Sequence, residues 1–236
     1  VRLSLPRPRH EVELLVAQDP SLAHGGLLWT SGIVLAQYLA TSGFDCLGPS
    51  TPRAPLGVLE LGCGAAALPS LAAAASLGAR VTATDFGEIV PLLSDSVRRN
   101  SAALRLDPGA HVDVASYAWS ESQAPPGSPY DLVLAADLLY DESCQVALVS
   151  AILAALGSDS GTLLMTYEER DARVEARFFG LLKEKSSATS IPLALPPPAV
   201  SGPTSDYSKQ RLVKVIFGGL QPAEEPTLAA DEGLYL

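Results

Sequence analysis

Cysteine and histidine are scarce in this sequence, with three of each among 236 residues. Cys46, Cys63 and Cys144 show no C-x-x-C spacing, and the histidines are scattered along the chain. Zinc sites and disulfide frameworks need these residues in clusters or in pairs. Their scarcity argues against both kinds of site. We therefore expect no bound metal and an intracellular protein, cytoplasmic or nuclear.

Basic residues are also in deficit. The chain carries 16 Lys and Arg against 26 Asp and Glu, which gives a formal net charge of −10. Binding to a nucleic acid needs a basic surface that neutralises phosphates. The charge therefore argues against a nucleic-acid partner and is compatible with a basic protein partner.

Long apolar runs are missing as well. No run reaches the ~18 residues of a membrane-spanning helix. The first ten residues hold arginines and prolines without the apolar stretch of a signal peptide. We therefore expect neither a membrane span nor a secretory signal. The length and the 47% of hydrophobic residues suit one α/β domain with a buried core.

The most informative stretch is 57–67, with the sequence GVLELGCGAAA. A short apolar run containing Glu60 leads into two glycines one residue apart, and an alanine-rich segment follows. This order is typical of a strand, a tight turn and the start of a helix. Glycines in such a turn allow a positive φ and a close approach of a ligand to the main chain. We therefore interpret residues 62–64 as a ligand-binding bend, here called the glycine bend.

A second acidic residue extends this pattern. Gly62-x-Gly64-x-x-Ala67 fits a dinucleotide-type fingerprint, and Asp85 follows Gly64 by 21 residues at the end of a second apolar run. A carboxylate at that spacing can bind ribose hydroxyls. The pattern predicts that the chain binds a nucleoside.

Glu60 bears on which nucleoside is bound. A dinucleotide such as NAD would place a pyrophosphate at the glycine bend, where a neighbouring carboxylate is unfavourable. S-adenosylmethionine carries a sulfonium and an ammonium group and no phosphate. The carboxylate of Glu60 therefore favours S-adenosylmethionine, with a NAD(P)-dependent oxidoreductase as the alternative.

Helical and strand patterns alternate along the chain. We expect helices near 31–41, 66–77, 89–104, 142–156 and 174–185, and strands near 57–61, 80–85, 111–119, 130–136, 161–167, 191 and 211–217. This alternation is typical of an α/β fold. In open α/β sheets, ligands bind at the carboxyl ends of the strands.

Further candidate site residues lie near such strand ends. Asp137 directly follows the apolar run 130–136, and Tyr140 comes one helical turn later, where it can face the same edge. Trp119 ends the third strand, and Trp29 precedes the first helix. Either tryptophan could line a cofactor pocket, and packing in the core explains either one equally well.

Several of these segments, taken together, resemble the motifs of the seven-β-strand methyltransferases of family 16, which are largely protein-lysine methyltransferases. The matching segments are 59–64 (LELGCG), 81–85 (VTATD), Asn100, Trp119, 131–140 (DLVLAADLLY) and 167–170 (YEER). Asp137-x-x-Tyr140 is the most specific of them, whereas all class I methyltransferases share the glycine bend. The resemblance covers roughly residues 25–217, in the right order.

The resemblance implies a class I, Rossmann-like fold: a seven-stranded, mostly parallel sheet with an antiparallel last strand and helices on both faces. It implies S-adenosylmethionine as the cofactor, S-adenosylhomocysteine as the product and a protein lysine as the acceptor. Asp137 and Tyr140 are the predicted catalytic residues: Asp137 would orient the amine and take up or relay its proton, and Tyr140 would wall the channel. The predicted cofactor-binding residues are Trp29, Glu60, Gly62, Cys63, Gly64, Asp85, Phe86, Tyr117, Ala118, Trp119, Ala135 and Asp137.

We divide the chain into an N-terminal extension (1–28), a methyltransferase domain (29–219) and an acidic tail (220–236), whose composition predicts disorder. The expected partner is a protein with an accessible lysine, and the enzyme is expected to be a monomer. By resemblance, Asn100 has a structural role, and the 167–170 segment has either a structural or a substrate-side role. Arginine, histidine and small-molecule acceptors remain open, as does a non-catalytic partner-binding function.

Overall fold

A computed structural model of the chain describes residues 2–5, 12–47, 55–100, 109–157, 161–198 and 207–217. The strands are β1 (Arg2–Leu5), β2 (Val12–Leu15), β3 (Gly57–Leu61), β4 (Arg80–Asp85), β5 (His111–Ser116), β6 (Leu132–Ala136), β7 (Gly161–Glu168), β8 (Thr189–Pro192) and β9 (Gln210–Phe217). The α-helices are α1 (Thr30–Ser42), α2 (Leu68–Leu77), α3 (Val90–Arg99), α4 (Gln145–Leu156) and α5 (Ala172–Lys185). None of these helices is long and apolar enough to cross a bilayer.

Seven strands form the central sheet, in the order β5-β4-β3-β6-β7-β9-β8. The five strands from β5 to β7 are parallel to their neighbours. β9 runs antiparallel to β7, and β8 runs antiparallel to β9. The predicted Rossmann-like sheet, mostly parallel with an antiparallel last strand, is confirmed.

The order of the strands reverses at β3. The chain runs outward from β3 to β4 and β5 and then crosses to β6 on the other side of β3. The loops that follow β3 and β6 therefore diverge and leave a crevice at the carboxyl edge, where α/β proteins bind ligands. Because Leu61 pairs with Ala135, Gly62 and Asp137 follow at nearly the same level of the sheet.

Helices cover both faces of the sheet. One core cluster contains Leu35 from α1, Leu71 from α2 and Leu93 from α3. The cluster on the other face contains Ile152 from α4 and Phe178 from α5. Since β3 and β6 are buried on both faces, they are continuous apolar runs interrupted only by Glu60.

Some predicted boundaries differ from those in the structure. α2 begins at Leu68 and not at residue 66, because residues 64–66 form a turn and Ala67 has a left-handed φ of 46°. The third sheet strand ends at Ser116, three residues earlier than predicted. The predicted helix 89–104 is present as α3 up to Arg99, and its predicted end lies outside the described residues. The acidic tail 220–236 also lies outside them.

The N-terminal extension packs on the domain where it is described. β1 and β2 pair antiparallel, and Leu14 and Val16 are buried in the core. The buried side chain of Asn100 accepts a hydrogen bond from the N–H of Leu15 (2.7 Å) and donates one to its carbonyl (2.9 Å). Asn100 therefore anchors β2 to the end of α3.

Candidate active site

The glycine bend begins where β3 ends, and its geometry requires glycine. Gly62 and Gly64 have positive φ values of 56° and 62°. A Cβ on Gly62 would lie 2.8 Å from Leu138 Cδ2 and 3.1 Å from the Trp119 ring, so a side chain there would clash. A Cβ on Gly64 would lie 3.2 Å from the carbonyl oxygen of Gly25. The bend is thus closed in by Leu138 and Trp119 on one side and by the N-terminal segment on the other.

Asp85 ends β4 and faces the glycine bend. Its two carboxylate oxygens accept hydrogen bonds from the N–H groups of Gly64 and Phe86, both at 2.7 Å. Burial raises the pKa of Asp85, while the two backbone hydrogen bonds act in the opposite direction. Each oxygen retains a lone pair that could accept a hydrogen bond from a ribose hydroxyl. The side chain is therefore fixed in place and still able to bind a diol.

Glu60 has a structural contact that the sequence did not reveal. Its carboxyl group is fully buried and accepts hydrogen bonds from the backbone N–H (2.8 Å) and the hydroxyl of Ser70, in the first turn of α2. Ala67, the N-cap residue of α2, has no polar side chain, so Glu60 takes over part of the capping.

Burial also changes the charge of Glu60. Loss of solvation is the main cause that raises its pKa to about 8, and the Asp85 carboxylate adds to it. Most Glu60 side chains are therefore protonated at pH 7. Glu60 lines the cavity, but the charge that we invoked to favour a cationic ligand is largely absent at that pH. The choice between cofactors then depends on other observations.

Asp137 follows β6 in a left-handed conformation with φ of 60°. Its N–H donates to the carbonyl of Thr166 on β7 at 2.8 Å. Both carboxylate oxygens accept from the guanidinium of Arg170, at 2.7 and 2.9 Å. The pair is bidentate and the Asp137 side chain is buried, so Arg170 holds this carboxylate in one orientation. Arg170 of the 167–170 motif therefore has a structural role, which is to orient Asp137.

Tyr140 belongs to a stack of three aromatic rings, here called the aromatic stack (Trp29, His24 and Tyr140). The ring centroids are 5.8 Å apart between Trp29 and His24 and 5.7 Å apart between His24 and Tyr140, with interplanar angles of 11° and 7°. Tyr140 is 55% exposed and Trp29 38% exposed. The stack therefore lies at the mouth of the site and not in the core.

One cavity of about 250 Å³ brings most of the predicted residues together. The predicted residues that line it are Trp29, Glu60, Gly62, Cys63, Gly64, Asp85, Phe86, Tyr117, Trp119, Asp137 and Tyr140. Ala118 and Ala135 are not among the lining residues: Ala118 is exposed, and Ala135 is buried in the core, so Ala136 takes its place. Burial raises the pKa of Cys63 well above its usual range, which keeps it as a thiol.

Other lining residues were not predicted. They include His24, Gly25, Leu28, Gly32 and Leu138. Three of them come from the segment 20–28, which belongs to the predicted N-terminal extension 1–28. The Gly25-Gly26 pair was a signal of close backbone approach, and Ala65 does donate to the carbonyl of Gly25 at 2.7 Å. Ala65, the partner of Gly25, lies 40 residues further along the chain, and no local sequence pattern predicts this contact.

Within the described ranges, no group of three or more His, Cys, Asp or Glu side chains is placed to hold a metal ion.

Comparison with known families gives a match over most of the chain. A family model described as lysine methyltransferase matches residues 8–185. Protein N-lysine methyltransferase METTL21A of Danio rerio is 30% identical over 184 residues, which are 77% of this chain and 77% of the relative. EEF1A lysine methyltransferase 3 of Mus musculus is 27% identical over 170 residues, which are 72% of this chain and 67% of the relative.

Solved structures share the fold at lower identity. A methyltransferase from Pyrococcus furiosus aligns with a TM-score of 0.54 and 17% identity, over 85% of this chain and 93% of that one. The 16S rRNA N2 G1207 methyltransferase RsmC of T. thermophilus, solved with AdoMet and guanosine, has a TM-score of 0.52 and 14% identity, over 94% of this chain and 46% of that one. At these identities the likeness concerns the fold alone.

Proposed function

Since the chain belongs to the lysine methyltransferase family, and is thus an S-adenosylmethionine-dependent methyltransferase, we propose that it methylates a lysine side chain of a protein substrate. One observation carries the proposal: a single cavity at the switch point of the sheet joins the glycine bend and Asp85 to the loop of Asp137 and Tyr140. The glycine bend and Asp85 are suited to binding a nucleoside, and the loop of Asp137 and Tyr140 is suited to binding an acceptor.

The cofactor side of the cavity fits an adenosyl group. The glycine bend lines the cavity, and Asp85 presents carboxylate oxygens beside it. Phe86, which is 55% exposed, and the ring of Trp119 offer apolar surface for a base. When bound, S-adenosylmethionine would supply a methyl group on a positively charged sulfur. Asp85 would hold the ribose, and the glycine bend would allow the cofactor to approach the main chain.

The acceptor side of the cavity must bind an amine and allow it to lose a proton. A lysine with a reference pKa of about 10.4 has to lose its proton before its lone pair can attack a methyl group. A partly desolvated channel next to a positive charge lowers the pKa of such an amine. Asp137 would accept a hydrogen bond from the amine in the orientation fixed by Arg170, and Tyr140 would present its ring face.

The arrangement around Asp137 limits its part in proton transfer. Both of its oxygens already accept hydrogen bonds from the guanidinium of Arg170. Protonation of Asp137 would weaken this charged pair. We therefore propose that Asp137 orients the amine and that solvent at the open mouth takes the proton. Positioning of the two reactants then supplies much of the rate.

The charge of the chain suits a basic protein substrate, since the net charge is −10. One relative is named EEF1A lysine methyltransferase 3, and EEF1A is our first candidate substrate. We further propose that the enzyme acts as a monomer inside the cell, on protein and not on nucleic acid.

A labelling experiment tests the function. The purified protein is incubated with tritiated S-adenosylmethionine and either recombinant EEF1A or a protein extract, and the labelled residue is identified by mass spectrometry. We expect label on a lysine, and none when Asp137→Ala replaces the wild type. Label on arginine, histidine or a small molecule would overturn the choice of acceptor. Cofactor binding without any transfer would indicate a partner-binding protein.

A further inference from the structure

His24 connects the two halves of the site, although neither the sequence motifs nor the proposed reaction uses it. Its ring lies between those of Trp29 and Tyr140 in the aromatic stack. The separations and angles fall within the range of offset-stacked aromatic pairs. Among the described residues, the ring nitrogens of His24 have no hydrogen-bond partner, so stacking is the main contact of its side chain.

The backbone of His24 is held against the cofactor side. Its carbonyl accepts a hydrogen bond from Trp29 Nε1 at 2.9 Å. The carbonyl of the next residue, Gly25, accepts from the N–H of Ala65 at 2.7 Å, directly after the glycine bend. A Cβ at Gly25 would lie 2.6 Å from Ile89 Cδ1, so Gly25 packs closely on the Ile89 side chain. The backbone position of the exposed His24 is therefore set by the cofactor side of the cavity.

Tyr140 is held much less firmly. It is 55% exposed and follows Asp137 in the loop after β6. Without a neighbour on its inner face, an exposed tyrosine samples several rotamers, and fixing one of them costs conformational entropy. The His24 ring supplies that neighbour at 5.7 Å. The exposed part of Tyr140 remains accessible to a ligand.

We propose, on the basis of the methyltransferase function above, that His24 is a positioning residue for the acceptor. Through the aromatic stack it fixes the Tyr140 ring relative to the glycine bend, so that the ammonium group of the incoming lysine meets a preset aromatic face. The role depends on an aromatic ring and on no proton of the imidazole. Phenylalanine should therefore replace His24, and alanine should not.

Binding of a minimal acceptor tests this proposal. Calorimetry follows probe binding with no further substitution, because Trp119 itself lines the cofactor side of the cavity. The wild type, His24→Ala and His24→Phe are saturated with S-adenosylhomocysteine and titrated with N-acetyl-lysine methylamide. N-acetyl-norleucine methylamide, which has the same carbon chain and lacks the terminal ammonium, is the uncharged control. Calorimetry measures the affinity for S-adenosylhomocysteine separately.

We expect the wild type to bind the lysine probe and not the norleucine probe. His24→Ala should weaken binding of the lysine probe roughly tenfold, which corresponds to the loss of one aromatic pair. His24→Phe should restore it, and the affinity for S-adenosylhomocysteine should change less than twofold in both variants. With a labelled protein substrate, the same loss should raise the KM for that substrate more than it lowers kcat.

Four results would overturn the proposal. Equal probe binding by His24→Ala and the wild type would show that the stack does not position the acceptor, and a His24→Phe variant as weak as His24→Ala would show that the ring is not the cause. A wild type that binds S-adenosylhomocysteine but not the lysine probe would remove the acceptor site from the stack and leave the methyltransferase function standing. A failure to bind S-adenosylhomocysteine would overturn both.

Discussion

Asp85 and Asp137 end the two strands that flank β3, and their surroundings differ. Asp85 accepts from two backbone N–H groups at the glycine bend. Asp137 is paired with Arg170 on the side of β7. Two carboxylates at one sheet edge are thus held by different partners, one neutral and one charged. This difference suits a division between holding the cofactor and orienting the acceptor.

Substitution of each aspartate should separate these two tasks. Asp85→Ala should weaken binding of S-adenosylhomocysteine at least tenfold, because it removes the predicted ribose acceptor and frees the N–H of Gly64. Asp137→Ala should leave that affinity within about threefold and abolish methyl transfer. Calorimetry and the labelling assay measure the two effects. Asp113→Ala, at an exposed position on β5, is the matched control, and equal losses of cofactor affinity in both site variants would contradict the division.

The raised pKa of Glu60 predicts that the stability of the protein depends on pH. This pKa rises from 4.5 to about 8 on folding, so between these values the folded protein keeps a proton that the unfolded chain has lost. The contribution of Glu60 to the free energy of unfolding therefore falls as pH rises through this window, by up to ~1.4 kcal/mol per pH unit. Glu60→Gln should gain stability relative to the wild type from pH 5 to pH 8, since its amide oxygen can still accept from Ser70.

Urea denaturation at a series of pH values measures this difference. Glu184→Gln, at an exposed position on α5, is the control and should run parallel to the wild type. A Glu60→Gln curve that also runs parallel would show that Glu60 is ionised in the folded protein.

The contact between β2 and α3 depends on one side chain. Asn100 satisfies both backbone groups of Leu15 and donates a third hydrogen bond to the carbonyl of Ser96 at 2.8 Å. Asn100→Ala should lower the free energy of unfolding by about 1–3 kcal/mol, because it leaves partly buried backbone groups without partners. Thermal and urea denaturation test this, with the exposed Gln123→Ala as the control. A loss no larger than that of the control would show that water replaces the amide.

Most elements of the sheet could be predicted, and the segment before α1 could not. β3, β6 and β7 are buried on both faces, so each produces an apolar run that ends in a recognisable site residue or charge cluster. The segment 20–28 has no such periodicity. Its place in the site results from the bond between Gly25 and Ala65 and from the aromatic stack, and both join residues far apart in sequence. For Glu60, the sequence predicted the position at the site but not the burial of the side chain under α2.

The molecule as a whole places its site where the strand order reverses. Crossovers from β3 and β6 leave in opposite directions, so the crevice between them exists before any side chain is considered. The family match and this topology agree on a methyltransferase, and the alternative of an oxidoreductase loses its basis. The net charge of −10 then bears on the partner and not on the fold.

Cofactor binding should stabilise the whole domain. At a concentration of 100 times its Kd, S-adenosylhomocysteine should add about 2.7 kcal/mol to the free energy of unfolding. For a chain of this size, that corresponds to a rise in Tm of roughly 5–10 °C. Differential scanning fluorimetry measures the shift. NADH at the same concentration should produce none, and a shift with NADH alone would reopen the assignment of the cofactor.

The hydrogen bond between Ala65 and Gly25 has a kinetic consequence. The segment that carries Gly25 forms one wall of the cavity and is hydrogen-bonded to the chain immediately after the glycine bend. S-adenosylhomocysteine must therefore leave, and S-adenosylmethionine must enter, past a wall that is part of the binding surface. The residence time of the product should then depend on how often this wall detaches, and turnover could be paced by that opening rather than by methyl transfer.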